Sequence, residues 1–210
     1  LSGVLKPKSG IVRLDGAPID ELSRREVARR IAVVPQETSF TFAFSALEVV
    51  LMGRSPYLGR FALEGASDLA VARTAMDSTD TWPLRDRSMD AVSGGEKQRV
   101  VISRALAQEP SILLLDEPTT ALDIRHQVDI YRLLNRLHQD ARHTVVLVQH
   151  DLNLAAKVCQ RLILLNRGNV CCDGAPADVI RADLLSEVYE TDLQVETDPN
   201  SGSPVVIVPL

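Results

Sequence analysis

Four polar residues stand at or just beyond the ends of short apolar segments, and their side chains could do chemistry. They are Gln36, Asp116, Glu117 and His150. Two adjacent carboxylates at the mouth of a buried strand are costly unless a metal ion, water or a ligand compensates their charge. One acid could hold Mg²⁺ through water while its neighbour polarises an attacking water, as nucleotide hydrolysis requires. A strand that simply ends at solvent in an acidic loop would show the same doublet, so the doublet alone fits both interpretations.

A serine followed by two glycines forms the second candidate site. In Ser93-Gly94-Gly95-Glu96 the serine is a helix N-cap, and the glycines would let the backbone approach a ligand closely. The helix predicted over residues 96–108 would direct the positive end of its dipole at an anion. The segment indicates a phosphate clamp, and an ordinary glycine-containing loop that caps a helix is the alternative. The predicted packing face of the helix comprises Val100, Val101, Ile102, Ala105 and Leu106.

The spacing of histidines and cysteines indicates no metal centre. None of the cysteines has a C-x-x-C spacing, so neither a disulfide framework nor a zinc site is predicted, and a reducing cytosol fits best. The cysteines are Cys159, Cys171 and Cys172. Three histidines are expected in surface helices or at their ends and are assigned no role: His126, His138 and His143. His150 taken alone would more often be a structural hydrogen-bonding residue than a catalytic one.

The composition excludes several classes of protein. The chain has 210 residues, of which 45% are hydrophobic and 24% charged, as is typical of a globular protein. Its net charge of −5 provides no bulk basic field that would hold nucleic acid or an anionic membrane surface. The uninterrupted apolar segments are about four residues long, far below the roughly 18 to 20 residues that span a bilayer.

The apolar segments alternate with amphipathic stretches, a pattern typical of a parallel sheet covered by helices. Strands are predicted at residues 31–34, 112–115 and 145–148, and the polar residues after them would meet at the carboxyl edge of one sheet. A capping box at Ser45 and Glu48 predicts a helix start, and a second helix is predicted over residues 67–76 with Leu69, Ala72 and Met76 on one side. Towards the end, we predict a helix at 152–158 and strands at 162–165, 170–172 and 205–208.

Taken in chain order, these residues resemble the ATP-binding subunit of an ABC transporter. Five features follow one another as in that family: Gln36 after an apolar strand, V-S-G-G-E at 92–96, the leucine-rich strand into Asp116-Glu117-Pro118, T-A-L-D at 120–123, and His150. The resemblance covers nearly all of the 210 residues. Two positions depart mildly from the usual pattern, with Val92 in place of leucine and Thr120 in place of serine.

The resemblance implies a role for each of these residues. Gln36 matches the Q-loop glutamine, which contacts Mg²⁺ or water, and Asp116 matches the Walker B aspartate that holds Mg²⁺ through water. Glu117 matches the general base, and His150 matches the switch histidine that contacts the γ-phosphate. In this family the signature and D-loop residues act on the ATP of the other subunit. Here they are Ser93, Gly94, Gly95, Glu96 and Asp123.

The resemblance also implies a fold and an assembly. The expected fold is of the P-loop NTPase type, an α/β fold with a mostly parallel sheet, helices on both faces and an inserted α-helical subdomain. A single domain would span 1–210, with 1–40 as a remnant of the ATP-binding core, 41–92 as the helical subdomain, and 93–210 as the signature helix, Walker B and switch core and C-terminal segment. The expected partners are a second ATPase subunit in a homodimer, integral-membrane permease subunits at the cytoplasmic face and, indirectly, an extracytoplasmic substrate-binding protein, with no nucleic acid.

Within the family, residues 48–59, 150–155 and 173–176 are similar to importers of ferric siderophores, haem and vitamin B12. The expected function is therefore ATP hydrolysis that drives uptake of an iron chelate, haem or cobalamin, and residues 52–61 are the candidate surface for permease docking. Two alternatives remain. A soluble ABC-type ATPase acting on nucleic acid or the ribosome would carry long coiled coils or two tandem sets of motifs, and a non-catalytic interaction module would keep only the fold.

One family motif is missing from the sequence. Nothing matches G-x-x-x-x-G-K-[ST], and the chain contains no Gly-Lys dipeptide. In the family, a stretch like residues 1–10 follows just after the P-loop helix, so an N-terminally truncated chain is expected, with a sheet edge and apolar surface left uncovered.

We predict that a clean preparation of residues 1–210 binds ATP very weakly and does not hydrolyse it. The loss of a phosphate cradle should cost several kcal/mol, since one preorganised donor to developing charge contributes roughly 3 kcal/mol. Phosphate release by the purified chain tests this, and measurable ATPase activity would refute it.

Overall fold

The computed structural model describes residues 2–36, 38, 40–59, 62–120, 122–140 and 143–209. The chain divides into two compact units, the first ending at Val148 and the second beginning at Gln149. This boundary lies within the segment 93–210 of the predicted organisation.

Three parallel strands form the central sheet of the first unit. They are β3 (Ile31–Val34), β4 (Ile112–Asp116) and β5 (Thr144–Val148). Strand β4 lies in the middle, with Val34 opposite Leu115 on one side and Leu115 opposite Leu147 on the other. The predicted strands and their parallel pairing are confirmed, and their carboxyl ends lie at one edge.

The two faces of this sheet differ in burial. One face is buried through Ala32, Val34, Leu113 and Leu115. On the other face, Ile31 packs with Leu14 and Ile19 near the start of the strands. Towards the carboxyl ends this face is open, and three valines are exposed: Val33 by 45%, Val146 by 37% and Val148 by 55%. Within the described residues β5 pairs with β4 alone, so the apolar surface and sheet edge expected from the sequence are present.

Five α-helices and a short hairpin complete the described part of the first unit. The hairpin pairs β1 (Arg13–Leu14) with β2 (Ala17–Pro18). The helices are α1 (Arg24–Ala28), α2 (Ala46–Leu51), α3 (Ala66–Ser78), α4 (Gly94–Leu106) and α5 (Ile124–Gln139). Short 3-10 turns cover Ile19–Glu21, Met52–Arg54, Trp82–Leu84 and Met89–Ala91.

The predicted capping box at the start of α2 is confirmed. The backbone N–H of Ser45 donates to the Glu48 carboxylate at 2.7 Å, and the Ser45 hydroxyl accepts from the Glu48 N–H at 3.3 Å. These two bonds satisfy amides that the first turn of a helix leaves unpaired.

Helices α2 and α3 pack on α4, so the predicted subdomain 41–92 shares its core with the helix that follows it. The prediction for α3 was correct for Ala72 and Met76, which are fully buried, and wrong for Leu69, which is exposed. Asp68 is buried in its place because it caps α3 and pairs with Arg54. At the other end of α3, three buried hydroxyls bond to one another, those of Thr79, Thr81 and Ser103.

A buried arginine joins α3 to the end of α4. Arg54 donates to Asp68 at 3.0 Å, to the carbonyl of Ala107 at 2.8 Å and to Glu109 at 2.7 Å. Its guanidinium also lies 4.0 Å from the centroid of the Tyr57 ring. The backbone N–H of Gly65 and the Arg54 guanidinium lower the pKa of Asp68, so the pair is ionised and satisfied in its buried setting.

The second unit is built from two hairpins and three helices among its described residues. Strands β6 (Leu162–Asn166) and β7 (Asn169–Gly174) form one antiparallel hairpin, and β8 (Gln194–Thr197) and β9 (Pro204–Ile207) form the other. The helices are α6 (Leu152–Val158), α7 (Pro176–Val179) and α8 (Ala182–Tyr189). The helix and strands predicted from the sequence in this region are confirmed, with shifts of one or two residues at the strand ends.

An asparagine side chain occupies the outer edge of β9. The side chain of Asn153 accepts from the N–H of Val206 at 2.6 Å and donates to its carbonyl at 3.2 Å. The turn before β9 is held by Asp198, whose pKa is lowered to about 2 because it accepts from the Asn200 N–H and from Lys157.

None of the described helices is both long enough and apolar enough to cross a membrane.

The close approach of α4 to residue 53 gives a prediction for stability. A Cβ on Gly53 would overlap with the carbonyl oxygen of Arg104 and lie 3.2 Å from the Cβ of Ala107. We expect Gly53→Ala to lower the free energy of unfolding by about 1–3 kcal/mol, the usual cost of overpacking. Urea denaturation followed by the fluorescence of Trp82, the single tryptophan, measures this.

Gly59→Ala is the matched control, because among the described residues its Cβ would meet only the Cβ of Ala62 at 3.6 Å, an ordinary contact. Equal urea midpoints for the two variants would contradict the packing described for Gly53.

Candidate functional site

A glutamine and a glutamate from neighbouring strand ends are hydrogen-bonded at the carboxyl edge of the sheet. The Gln36 amide donates through Nε2 to Oε2 of Glu117 at 3.0 Å, although the two residues are 81 positions apart. The Thr120 hydroxyl donates to the same oxygen at 2.9 Å. The predicted meeting of Gln36 with the acidic doublet is therefore observed.

The backbone at Glu117 is constrained. Its φ is +42°, in the left-handed region that a residue with a side chain seldom adopts. Its N–H donates to the carbonyl of Val148 at 3.1 Å, and its carbonyl accepts from the Thr120 N–H at 3.2 Å. Residues held in such conformations cluster at functional sites because the surrounding structure must enforce them. Here the end of β5 and the turn after β4 enforce it.

Asp116 is the last residue of β4 and is exposed beside Glu117. The described residues contain no group of three or more His, Cys, Asp or Glu side chains that could hold a metal ion by themselves. Mg²⁺ commonly takes one or two protein oxygens and completes its shell with water and substrate phosphates. An exposed carboxylate next to Gln36, whose amide oxygen is an acceptor, fits such a partial ligand set.

The serine-glycine segment begins a helix, as predicted, but the helix starts earlier than expected. Ser93 is the N-cap, its hydroxyl accepts from the Glu96 N–H at 3.3 Å, and Glu96 accepts from the Ser93 N–H at 2.8 Å. Helix α4 begins at Gly94 and ends at Leu106, instead of spanning 96–108. All five residues of its predicted packing face are buried.

A histidine that follows β4 packs against the second of the two glycines. The His126 ring lies against Gly95, where a Cβ would overlap with the ring carbons and stand 2.9 Å from Nε2. Asp123 is the N-cap of α5, and its Oδ1 accepts from the His126 N–H at 2.9 Å and lies 2.8 Å from His126 Nδ1. These two bonds lower the pKa of Asp123. The structure thus joins the predicted signature and D-loop residues within one chain.

The contacts of His126 were not predicted from the sequence, where a histidine outside any metal-ligand spacing is expected at the surface. The available signal was the spacing from Asp123 to His126, which is that of an N-cap and its third helical residue.

The stretch after Gln36 also contacts α4. The ammonium of Lys97 lies 5.5 Å from the centroid of the Phe40 ring, a cation–π distance. This contact places Phe40 beside the fourth residue of α4.

His150 belongs to the second unit, where it is exposed and directly precedes Asp151, the N-cap of α6. Asp151 accepts from the Leu154 N–H at 2.9 Å. The proximity of His150 to Gln36 and Glu117 stays a prediction.

The centre of the candidate docking segment 52–61 is packed inside the first unit. Gly53, Arg54 and Pro56 are buried, and the Pro56 carbonyl accepts from Arg29 at 3.1 Å. Residues 60 and 61 lie outside the described residues. Met52, Ser55 and Gly59 are exposed. The role of this segment in permease docking stays a prediction.

Together, the parallel sheet, the paired groups at its carboxyl edge and the capped glycine turn define a nucleotide-binding α/β protein. A family model described as ABC transporter matches residues 1–120. The hemin import ATP-binding protein of Myxococcus xanthus strain DK1622 is 46% identical over 214 residues, which cover 99% of this chain and 79% of that protein.

Two solved structures agree. A metal-chelate type ABC transporter in an inward-facing conformation matches with a TM-score of 0.80 at 33% identity, covering 86% of this chain and 72% of that one. A dimeric ATP-binding cassette in a post-hydrolysis state, bound to ADP and Pi, matches with a TM-score of 0.68 at 31% identity, covering 83% and 76%. The chain belongs to the ABC transporter family and is one of its ATP-binding subunits. The resemblance stated from the sequence is confirmed.

The capping box at Ser93 predicts a pH dependence of stability. The Ser93 N–H and hydroxyl lower the pKa of Glu96. Because this pKa is lower in the folded chain than in the unfolded one, the ionised group contributes stability above about pH 4.3, and the contribution is lost as the pH falls through the folded-state value. Glu96→Gln should not show the loss of unfolding free energy that protonation of Glu96 causes in acid. Its free energy of unfolding at pH 7 should be lower than that of the wild type by about 1 kcal/mol or less.

Urea midpoints measured from pH 7 down to pH 3 test this, with Glu64→Gln as the control because Glu64 is exposed and caps no helix. Parallel pH profiles for wild type and Glu96→Gln would count against the cap.

Proposed function

We propose that this chain is the energy-coupling ATPase subunit of an importer for haem or another iron chelate, with cobalamin as a related alternative. The observation that carries the catalytic part is the hydrogen bond between Gln36 and Glu117 at the edge of the sheet. The hemin import relative and the metal-chelate transporter support the transported class.

Glu117 is the proposed general base. Gln36 and Thr120 both donate to its Oε2, so the carboxylate is held in one orientation while it accepts a proton from the attacking water. His150 is proposed to hold the terminal phosphate. Gln36 links the reacting groups to the stretch that contacts α4 through Phe40, which gives a path from the nucleotide to the helices.

Mg²⁺ is proposed as the metal. Asp116, through water, and the amide oxygen of Gln36 would hold it. When bound, the ion neutralises phosphate charge and orients the terminal phosphoryl group.

The proposed assembly is a homodimer with two ATP molecules between the subunits. Ser93, Gly94, Gly95 and Glu96, with Asp123, would act on the partner subunit's ATP. The capped start of α4 offers backbone N–H groups and the positive end of a 13-residue helix to the phosphates. The dimeric relative bound to ADP and Pi supports this arrangement. Integral-membrane permease subunits at the cytoplasmic face and an extracytoplasmic substrate-binding protein would complete the importer.

We expect Glu117→Gln in the full-length subunit to lower ATP turnover by about 10²- to 10⁴-fold, the usual contribution of a general base. Glutamine can still accept from Gln36 and Thr120 but cannot take the proton from water, so ATP should stay bound in a stable dimer. Phosphate release and retained nucleotide, measured with the permease in proteoliposomes, report both effects. Unimpaired turnover would contradict the assignment.

The same proteoliposomes test the transported class. ATP-driven uptake of hemin or a ferric siderophore is expected, and Glu117→Gln should abolish it, whereas Glu64→Gln should leave it unchanged. Uptake of cobalamin alone would identify the transporter as a cobalamin importer instead of an importer of haem or another iron chelate. Failure to take up any of the three would contradict an importer of this class.

A further inference from the structure

The proposed function assigns no role to the contact between the His126 ring and Gly95. The ring lies so close to the Gly95 Cα that no side chain larger than hydrogen fits at position 95. Gly95 is buried, and it is the second residue of α4, directly after the turn that would face the nucleotide. The placement of this turn therefore depends on where the His126 ring lies.

The same histidine is tied to Asp123 by two hydrogen bonds. Because an ionised carboxylate only accepts, the 2.8 Å contact requires a proton on His126 Nδ1. The backbone N–H of His126 donates to the same carboxylate oxygen at 2.9 Å. The imidazole is thus fixed on one side by Asp123 and rests on Gly95 with the other.

Both ends of this contact carry residues that would meet the other subunit. Asp123 is 65% exposed at its side chain, whereas His126 is only 29% exposed. The part-buried His126 imidazole therefore lies between the exposed Asp123 carboxylate and the buried Gly95, and we call it the spacer. It fixes the distance between the two groups and does not itself reach the ligand.

A second side chain lies close to the turn. The Leu122 side chain lies near the other glycine, because a Cβ placed on Gly94 would stand 3.6 Å from it. A side chain at position 94 would therefore contact the residue before Asp123.

We propose that His126 is a positioning residue that holds the Asp123 carboxylate and the Ser93-Gly94-Gly95 turn in one fixed geometry, so that both engage the partner subunit together. The proposal rests on the roles proposed above for Asp123 and for the turn. The histidine contacts neither ATP nor the reacting atoms. Its loss disturbs the dimer surface without disturbing nucleotide binding by the single subunit.

The test uses the full-length subunit with Glu117→Gln as the parent, since that change is expected to trap the ATP dimer. Adding His126→Ala should weaken ATP-driven dimerisation about tenfold by sedimentation velocity, the fold-change expected from one hydrogen bond to a charged group. The Kd of the single subunit for ATP should change by less than about twofold. His126→Asn should recover most of the dimerisation, because its amide N–H can donate to Asp123.

His138→Ala is the matched control, since it removes a histidine from the same helix about four turns away from Asp123. A merely structural role would lower the Tm of His126→Ala and leave dimerisation of the folded protein unchanged, which would overturn the proposal. So would equal dimerisation of the His126→Ala and His138→Ala proteins, or failure of His126→Asn to recover any of the loss.

A double-mutant cycle checks the contact itself. Gly95→Ala should lower the Tm strongly when His126 is present. It should lower the Tm much less in the His126→Ala background, because the overlapping ring is gone. Additive changes would overturn the contact and the proposal with it. The Glu117→Gln parent could form no dimer with ATP while the double-mutant cycle is non-additive. That result would contradict the proposed function and, with it, the positioning role of His126. It would still support the packing of His126 against Gly95.

Discussion

The in-register parallel pairing of β3, β4 and β5 is the constraint on which the candidate site depends. Because β4 lies between the other two strands, the residues after all three segments start from one edge. A slip of one residue would turn Leu113 and Leu115 out of the buried face and would also separate Gln36 from Glu117. Hydrophobic burial therefore fixes the position of the polar groups. The left-handed backbone of Glu117 is a local strain that accompanies the turn of the chain directly after β4.

Helix α4 is where the other parts of the first unit meet. It packs with α2 and α3 on its buried side, contacts Phe40 through Lys97, and contacts the His126 ring of α5 at Gly95. The buried Arg54 network fastens the chain just beyond its far end. A nucleotide-dependent shift near Gln36 would be transmitted through packed groups on a rigid helix, since close-packed interiors pass on displacement instead of absorbing it.

Much of this architecture could be predicted from the sequence, for reasons that are local. The strands are short runs of β-branched or leucine residues, and the helix starts at Ser45 and Ser93 have capping residues at the required spacing. Leu69 was misplaced because periodicity does not reveal that Asp68, paired with Arg54, takes the buried position. The burial of Gly53 and Pro56 and the contact of His126 with Gly95 depend on segments distant in the chain, which no local pattern encodes.

The side chain of Asn153 has a consequence for the second unit. With one donor and one acceptor aligned to Val206, it acts as a single residue of an adjoining strand. Pro204, the preceding outward position, lacks an N–H. A free β-edge offers an alternating row of donors and acceptors to which another chain can add. Here that row is interrupted at two successive outward positions, so the outer edge of β9 is a poor template for the addition of a strand from another chain.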